Sequence, residues 1–141
     1  MQIVTKELKF EGAHRLINGY PGKCRNCHGH SWVVFVSVRL KEGRRLNKYG
    51  FVKDFGDFKP LRDWIDNNLD HATIVSEDDS SFLSWLEKEC QRLYITQGNP
   101  TSENLVQIIY KKAAELLDDD CCEVYEVRIK ETCTSEAIYR S

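Results

Sequence analysis

No stretch of about 18 consecutive apolar residues occurs in this 141-residue sequence, so no transmembrane helix is expected. Excess charge of either sign is also missing. Twenty lysines and arginines face 22 aspartates and glutamates, for a formal net charge of −2 and a pI near 6.1. Nothing in that balance points to a nucleic-acid partner. There is no internal repeat, no low-complexity tract and no linker, and the length suits one domain over residues 1–141. The opening MQIVTKELKF alternates and carries charge early, unlike a secretory signal, so a cytoplasmic protein is expected. What the chain does have is 41% hydrophobic and 30% charged residues, the profile of an ordinary soluble globular domain.

Six cysteines are present, but the length and the lack of a secretory signal argue against a disulfide framework. Cys90, Cys121, Cys122 and Cys133 are expected to be buried small hydrophobes. Cys24 and Cys27 stand apart because histidines surround them.

Hydrophobic periodicity sets out the elements. Residues 2–15 read as a strand, with Val4, Leu8, Phe10 and His14 on one face. Residues 16–27 form a polar loop with turn signals at Asn18-Gly19 and Pro21-Gly22. Residues 28–41 read as a second strand, in which His28 and His30 continue the phase of Trp32, Val34, Val36, Val38 and Leu40. The two strands should pair as an antiparallel hairpin. Asp57 is the expected N-cap of a helix to about Leu69. A second helix is expected over residues 80–94, and a third from Ser102 to Leu117 behind a Thr101 cap. Residues 122–131 return to strand, with Tyr125, Val127, Ile129 and Glu131 in one phase, and a last strand lies around Ala137–Tyr139. This order suggests an α+β domain: a four-stranded antiparallel sheet with helices on one face.

Histidine is scarce, with four in the chain: His14, His28, His30 and His71. Side chains two apart in a strand point the same way, about 6–7 Å apart, so His28 and His30 can converge on one ion. A hairpin would bring His14 opposite them. Three neutral imidazoles with an open fourth position are the usual arrangement of a catalytic zinc. Two other readings stay open. The histidines could be satisfied polar residues at a sheet rim. Alternatively, Cys24-x-x-Cys27-His28-x-His30 could close a structural zinc site, although that leaves His14 and His71 unexplained.

With the histidines on metal, Cys24 is free to act as base or nucleophile, since a nearby cation lowers a thiol's pKa. Asp70-His71 offers a second acid–base group, or simply a helix C-terminal cap. Adjacent residues do not easily hydrogen-bond side chain to side chain, so Asp70 is expected to reach Cys24 or another partner. Glu131 lies on the inward phase of its strand, where a carboxylate is costly unless paired. It could clamp the two adjacent N–H donors of a guanine-like or pterin ring, or be a charge at a sheet end.

Taken in order, Phe10-Glu11-Gly12-Ala13-His14, Cys24-x-x-x-His28-Gly29-His30, Phe51-Val52-Lys53-Asp54-Phe55, Leu69-Asp70-His71, Pro100-Thr101-Ser102-Glu103-Asn104 and Lys130-Glu131-Thr132 resemble the 6-pyruvoyltetrahydropterin and 6-carboxytetrahydropterin synthase superfamily. The resemblance spans nearly the whole chain. Three residues between Cys24 and His28 resemble the 6-carboxy branch, of the queuosine and 7-deazaguanine pathway, more than the biopterin-forming branch.

The resemblance implies a zinc lyase that converts 7,8-dihydroneopterin triphosphate to 6-carboxy-5,6,7,8-tetrahydropterin, with loss of acetaldehyde and triphosphate. It implies zinc on His14, His28 and His30. It gives acid–base roles to Cys24, Asp70 and His71 and pterin anchoring to Glu131, with Thr101, Ser102 and Glu103 as further ring contacts. The implied fold is a tunnelling fold, in which a homo-oligomer (a hexamer or tetramer) joins its sheets into a barrel with active sites at subunit interfaces. Cys27 is a second thiol the family does not require, residues 76–98 look longer than in compact forms, and no Gly-rich loop marks a triphosphate site. A 6-pyruvoyl-forming or side-chain-cleaving relative is the alternative. A non-enzymatic, zinc-stabilised binding module is the more distant one.

Overall fold

Alternation along the first strand decides which side of the sheet becomes the core. In a computed structural model that describes residues 1–141, β1 (Ile3–His14) buries Leu8, Phe10 and His14 and exposes Glu7, Lys9 and Glu11. It pairs antiparallel with β2 (His28–Leu40), in a register running from Ile3 opposite Arg39 to His14 opposite His28. Trp32, Val34, Val36 and Val38 are fully buried on the same face. Phe10 stacks on Trp32, and the indole donates to the Gly12 carbonyl at 3.1 Å. A β-carbon at residue 12 would lie 3.3 Å from the Phe10 ring, a tight contact that a larger residue would have to relieve.

The helices that cover this face are α1 (Lys59–Asn68) and α3 (Ser102–Leu117). α1 begins one residue later than expected, with Phe58 rather than Asp57 at its N-cap. Asp54 accepts from the Gly56 N–H and opens a 3-10 turn over Phe55–Phe58, and Pro60 then sits in the first turn of α1. Phe58, Leu61, Ile65 and Leu69 are all buried, as their spacing requires. α3 starts at its expected cap, with Thr101 accepting from the Asn104 N–H. In the Phe51–Phe55 segment Val52 is buried and Lys53 donates to Asp119 at 2.8 Å, so this stretch fastens the loop before the fifth strand.

The sheet is larger than the sequence suggested. It has six strands in mixed array, ordered β4-β3-β1-β2-β5-β6, rather than four antiparallel ones. The additions are β3 (Ala72–Ser76) and β4 (Leu93–Thr96), both parallel to their neighbours. Between them lies α2 (Ser80–Lys88), which packs on β3 and makes the crossover that parallel strands need. The expected helix over residues 80–94 stops early because Cys90 adopts a left-handed φ of 54°, and Tyr94, Ile95 and Thr96 suit a strand. The long 76–98 segment is thus built into the sheet. Arg15 holds its start through two 2.7 Å bonds to Asp79, and its guanidinium lies 4.3 Å from the Phe82 ring centre.

β5 (Cys122–Thr132) and β6 (Ser135–Arg140) complete the far side. Val38 pairs with Val124 but Ser37 with Glu126, so Tyr125 is the extra residue of a bulge. It therefore leaves the expected inward phase and packs under the Arg39 guanidinium, 4.6 Å away. Beyond the bulge Val127 and Ile129 are fully buried and Glu131 follows in phase. No helix is long and apolar enough to cross a membrane. All six cysteines are free. Cys122 is buried as expected, whereas Cys90, Cys121 and Cys133 are exposed because they fall at a helix end and in turns.

Candidate active site

The β1–β2 register carries three imidazoles to one point. His14 faces His28 across the ladder, and His30 lies two residues further along the same face. Their ring centres are 4.7–5.2 Å apart, and Trp32 forms an edge-on floor beneath His14 and His30. The other ring nitrogens of two of the three are fastened. His14 Nδ1 lies 2.7 Å from the Pro100 carbonyl and His28 Nδ1 lies 2.6 Å from the Asn26 carbonyl. A carbonyl can only accept, so each Nδ1 carries the proton and each Nε2 presents a lone pair.

All three Nε2 atoms are buried without a hydrogen-bond partner, and the possible ligand atoms lie within 4.8 Å of one another. Glu131 Oε1 approaches His14 Nε2 at 3.2 Å and His30 Nε2 at 3.5 Å, but not in hydrogen-bonding geometry. Burial pulls the pKa of His14 down, against the opposing pull of the Pro100 carbonyl and Glu131, and burial lowers His30 too. Orphaned, convergent nitrogens fit a zinc ion held by three histidines. Neither Cys24 nor Cys27 joins this group, which disfavours the closed cysteine–histidine site. Cys27 lies near Arg15, and burial raises its thiol pKa.

Beside His14 opens a cavity of about 320 Å³. Cys24, on a 3-10 turn, lines it together with Thr101, Ser102 and Glu103 from the start of α3 and Glu131 from β5. Tyr20, Ser135 and Glu136 complete the polar part of the wall. The lining holds three carboxylates and no lysine or arginine. The structure therefore brings together most of the residues singled out in the sequence.

Asp70 and His71 are elsewhere. His71 lines a second cleft with Glu11, Ala13, Gly29, His30 and Ser31, on the outer face of the sheet. The expectation that adjacent side chains would not bond is overturned: His71 Nδ1 lies 2.9 Å from Asp70 Oδ2. His71 takes a left-handed φ of 57°, which turns its ring back toward its neighbour. The other Asp70 oxygen accepts from the Glu11 N–H at 2.9 Å. That bond, helped by His71, holds the carboxyl below the usual range. The Pro100 and Asn26 carbonyls were missed at the sequence level, because a backbone acceptor leaves no residue-type signal.

The chain is similar to several known proteins. The family model described as 6-pyruvoyl tetrahydropterin synthase matches residues 3–141. A Rickettsia felis protein named 6-carboxy-5,6,7,8-tetrahydropterin synthase is 36% identical over 104 residues, covering 72% of each chain. A Synechocystis protein of the same name is 35% identical over all of this chain and 95% of its own. Among solved structures, an uncharacterized protein from Wolinella succinogenes superposes with a TM-score of 0.78 at 23% identity, covering 99% of this chain and 98% of its own. The 6-pyruvoyl tetrahydropterin synthase of Caenorhabditis elegans gives 0.69 at 25% identity, covering 100% and 97%. The chain belongs to the 6-pyruvoyl tetrahydropterin synthase family.

Proposed function

We propose that the protein is a zinc-dependent 6-carboxy-5,6,7,8-tetrahydropterin synthase. It would convert 7,8-dihydroneopterin triphosphate to 6-carboxytetrahydropterin with release of acetaldehyde and triphosphate, in 7-deazaguanine and queuosine biosynthesis. The observation that carries this reading is the trio of orphaned Nε2 atoms, one of whose rings, His14, lines a cavity that also holds Cys24 and Glu131. The names of the curated relatives supply the product.

His14, His28 and His30 would hold the zinc, whose chemistry is to polarise the oxygens of the pterin side chain. Glu131 accepts two adjacent ring N–H bonds and fixes the pterin plane, with Thr101, Ser102 and Glu103 as further contacts. Cys24 takes a proton from side-chain carbon, and His71, kept in orientation by Asp70, returns one from the other side. Such proton shifts give the enolised states through which triphosphate leaves and the carbon–carbon bond breaks.

His71 opens on a different cleft from Cys24, so in this reading the dyad serves the cavity of another copy. Two unpaired sheet edges support that assembly. β3 meets β1 only at Gly12–His14, and β6 is the last strand on the other side. Pairing between such edges would close several sheets into a barrel.

The deciding experiment is product analysis of the zinc-loaded protein with 7,8-dihydroneopterin triphosphate. 6-Carboxytetrahydropterin with acetaldehyde supports the proposal. A 6-pyruvoyl product would move the chain to the other activity of its family, and no turnover by a zinc-replete protein would sink both.

A further inference from the structure

The loop that carries Cys24, residues 16–27, closes mostly on itself. Leu16 N–H donates to the Cys24 carbonyl at 2.8 Å, and the Gly22–Asn26 turn makes its own short-range bonds. Its only hydrogen bonds to a segment distant in sequence run through one side chain, that of Asn99. The Asn99 Oδ1 accepts from the Ile17 N–H at 2.7 Å, and its Nδ2 donates to the Ile17 carbonyl at 3.3 Å. A carboxamide offers one acceptor and one donor side, so it can mate with a peptide as a neighbouring strand would.

Asn99 is itself held firmly. Its carbonyl accepts from the Thr101 N–H at 2.8 Å and from Asn104 Nδ2 at 2.7 Å, which fixes it to the start of α3. The next residue, Pro100, is buried and provides the carbonyl that orients His14. One dipeptide thus faces two ways. Pro100 sets a metal-site imidazole, while the Asn99 side chain grips the loop whose other end, through Leu16, is tied to Cys24.

We propose that Asn99 is a positioning residue that holds the Cys24 thiol in register with His14 across the cavity. This rests on the proton-transfer role given to Cys24 above. Neither Asn99 nor Ile17 lines the cavity, so the effect passes through the loop and not through the substrate. Aspartate at residue 99 could still accept from the Ile17 N–H but would turn a carboxylate oxygen toward the Ile17 carbonyl. Alanine could do neither.

The test uses full-length, zinc-loaded wild type, Asn99→Ala and Asn99→Asp. Three things are measured: zinc content, the rate of iodoacetamide alkylation at each cysteine by peptide mass spectrometry, and kcat and KM separately. Zinc should stay at about one per chain. The Cys24 alkylation rate should change at least about fivefold in Asn99→Ala, with exposed Cys121 and Cys133 as unchanged internal references. Misplacing a reacting group by an ångström can cost about 100-fold, so kcat should fall about 10- to 100-fold with KM within about threefold. Asn99→Asp should lie between the other two, and it decides the matter if Asn99→Ala does not fold. An unchanged Cys24 rate in a folded variant would overturn the proposal. Altered Cys24 reactivity with wild-type kcat would leave the clamp standing and overturn the role of Cys24 instead.

Discussion

Asp70 and His71 are adjacent in sequence and bonded in space, Oδ2 to Nδ1 at 2.9 Å, because His71 occupies the left-handed region. The carboxylate fixes the tautomer and leaves Nε2 free to trade protons. An amide at residue 70 could still accept from the Glu11 N–H but would set its NH₂ group against the His71 N–H. Asp70→Asn should therefore lower kcat about 100-fold or more while zinc is retained. The folded pKa of Asp70 is depressed, so its contribution to stability is present above the ordinary carboxylate range and fades as pH falls below about 4. Melting curves from pH 3 to 7 should show wild type losing its advantage over Asp70→Asn at the acid end. A constant difference across that range would contradict the assignment.

Placing the dyad and the thiol in clefts of different copies has a direct genetic test. Cys24→Ala and His71→Ala chains should each be inactive alone. Co-assembled in equal amounts, they should recover about a quarter of wild-type turnover, the statistical share of sites that combine an intact thiol with an intact dyad from another copy. No recovery in a verified mixed oligomer would mean that both groups act within one chain.

Zinc should bind at about one ion per chain, with Zn–N distances of about 2.0–2.1 Å to His14, His28 and His30. Chelation should leave the protein folded and inactive, since the core of Phe10, Trp32, Leu61, Ile65 and Ile109 is built without metal. Protons compete with zinc for the same nitrogens. Burial lowers the pKa of His14 and His30, so zinc should be retained somewhat below pH 6.5 and released on further acidification. Release already complete at neutral pH would argue against these ligands.

Cys24 and Cys27 are three residues apart with different surroundings. Cys24 lines the cavity, while Cys27 lies near Arg15 with its thiol pKa raised by burial. Cys24→Ala should keep zinc and fold but lose at least about 100-fold in turnover. Cys27→Ala should stay within about threefold of wild type. Steady-state rates of the two variants, with zinc measured in parallel, decide between them, and a reversed order would exchange the two roles.

Glu131 stands 3.2 Å from His14 Nε2, without hydrogen-bonding geometry, at the wall of the cavity. Glu131→Gln keeps its shape but turns one acceptor into a donor facing the ring's own donors. Pterin affinity, measured by calorimetric titration, should fall by one to two orders of magnitude, as expected from about 1.5–3 kcal/mol per charge-assisted bond. Zinc stoichiometry and melting temperature should hold. Equal affinity in the two proteins would reduce Glu131 to a charge at the rim.

The centre of the site was legible because strand periodicity is local. His14, His28 and His30 share a face by counting in twos, and their hairpin pairing places them together. The Thr101 cap and the core spacing of α1 and α3 were legible for the same reason. What escaped depends on partners far away in sequence. Ala72–Ser76 and Leu93–Thr96 are too short to announce themselves, and become strands only by pairing with β1 and with each other. The bulge at Tyr125 shifted a phase that alternation alone could not have broken. Left-handed backbone at His71 and Cys90 carries no glycine to mark it, so both the dyad and the end of α2 were misread.

Glu103, Glu131 and Glu136 give the cavity a negative wall with no lysine or arginine among its lining to balance it. Even a bound divalent ion leaves that count of charges net negative. Like charges in a partly desolvated cleft repel by about 1–4 kcal/mol per close pair, so this wall disfavours drawing a polyphosphate tail inward. Under the proposed reaction the substrate would then enter ring first, with its tail left toward solvent. Triphosphate released in the proposed reaction would face an electrostatic slope that leads outward, so the same carboxylates would hasten its departure. Added triphosphate should accordingly be a poor inhibitor, and raising the ionic strength should narrow the gap between its affinity and that of the uncharged pterin ring.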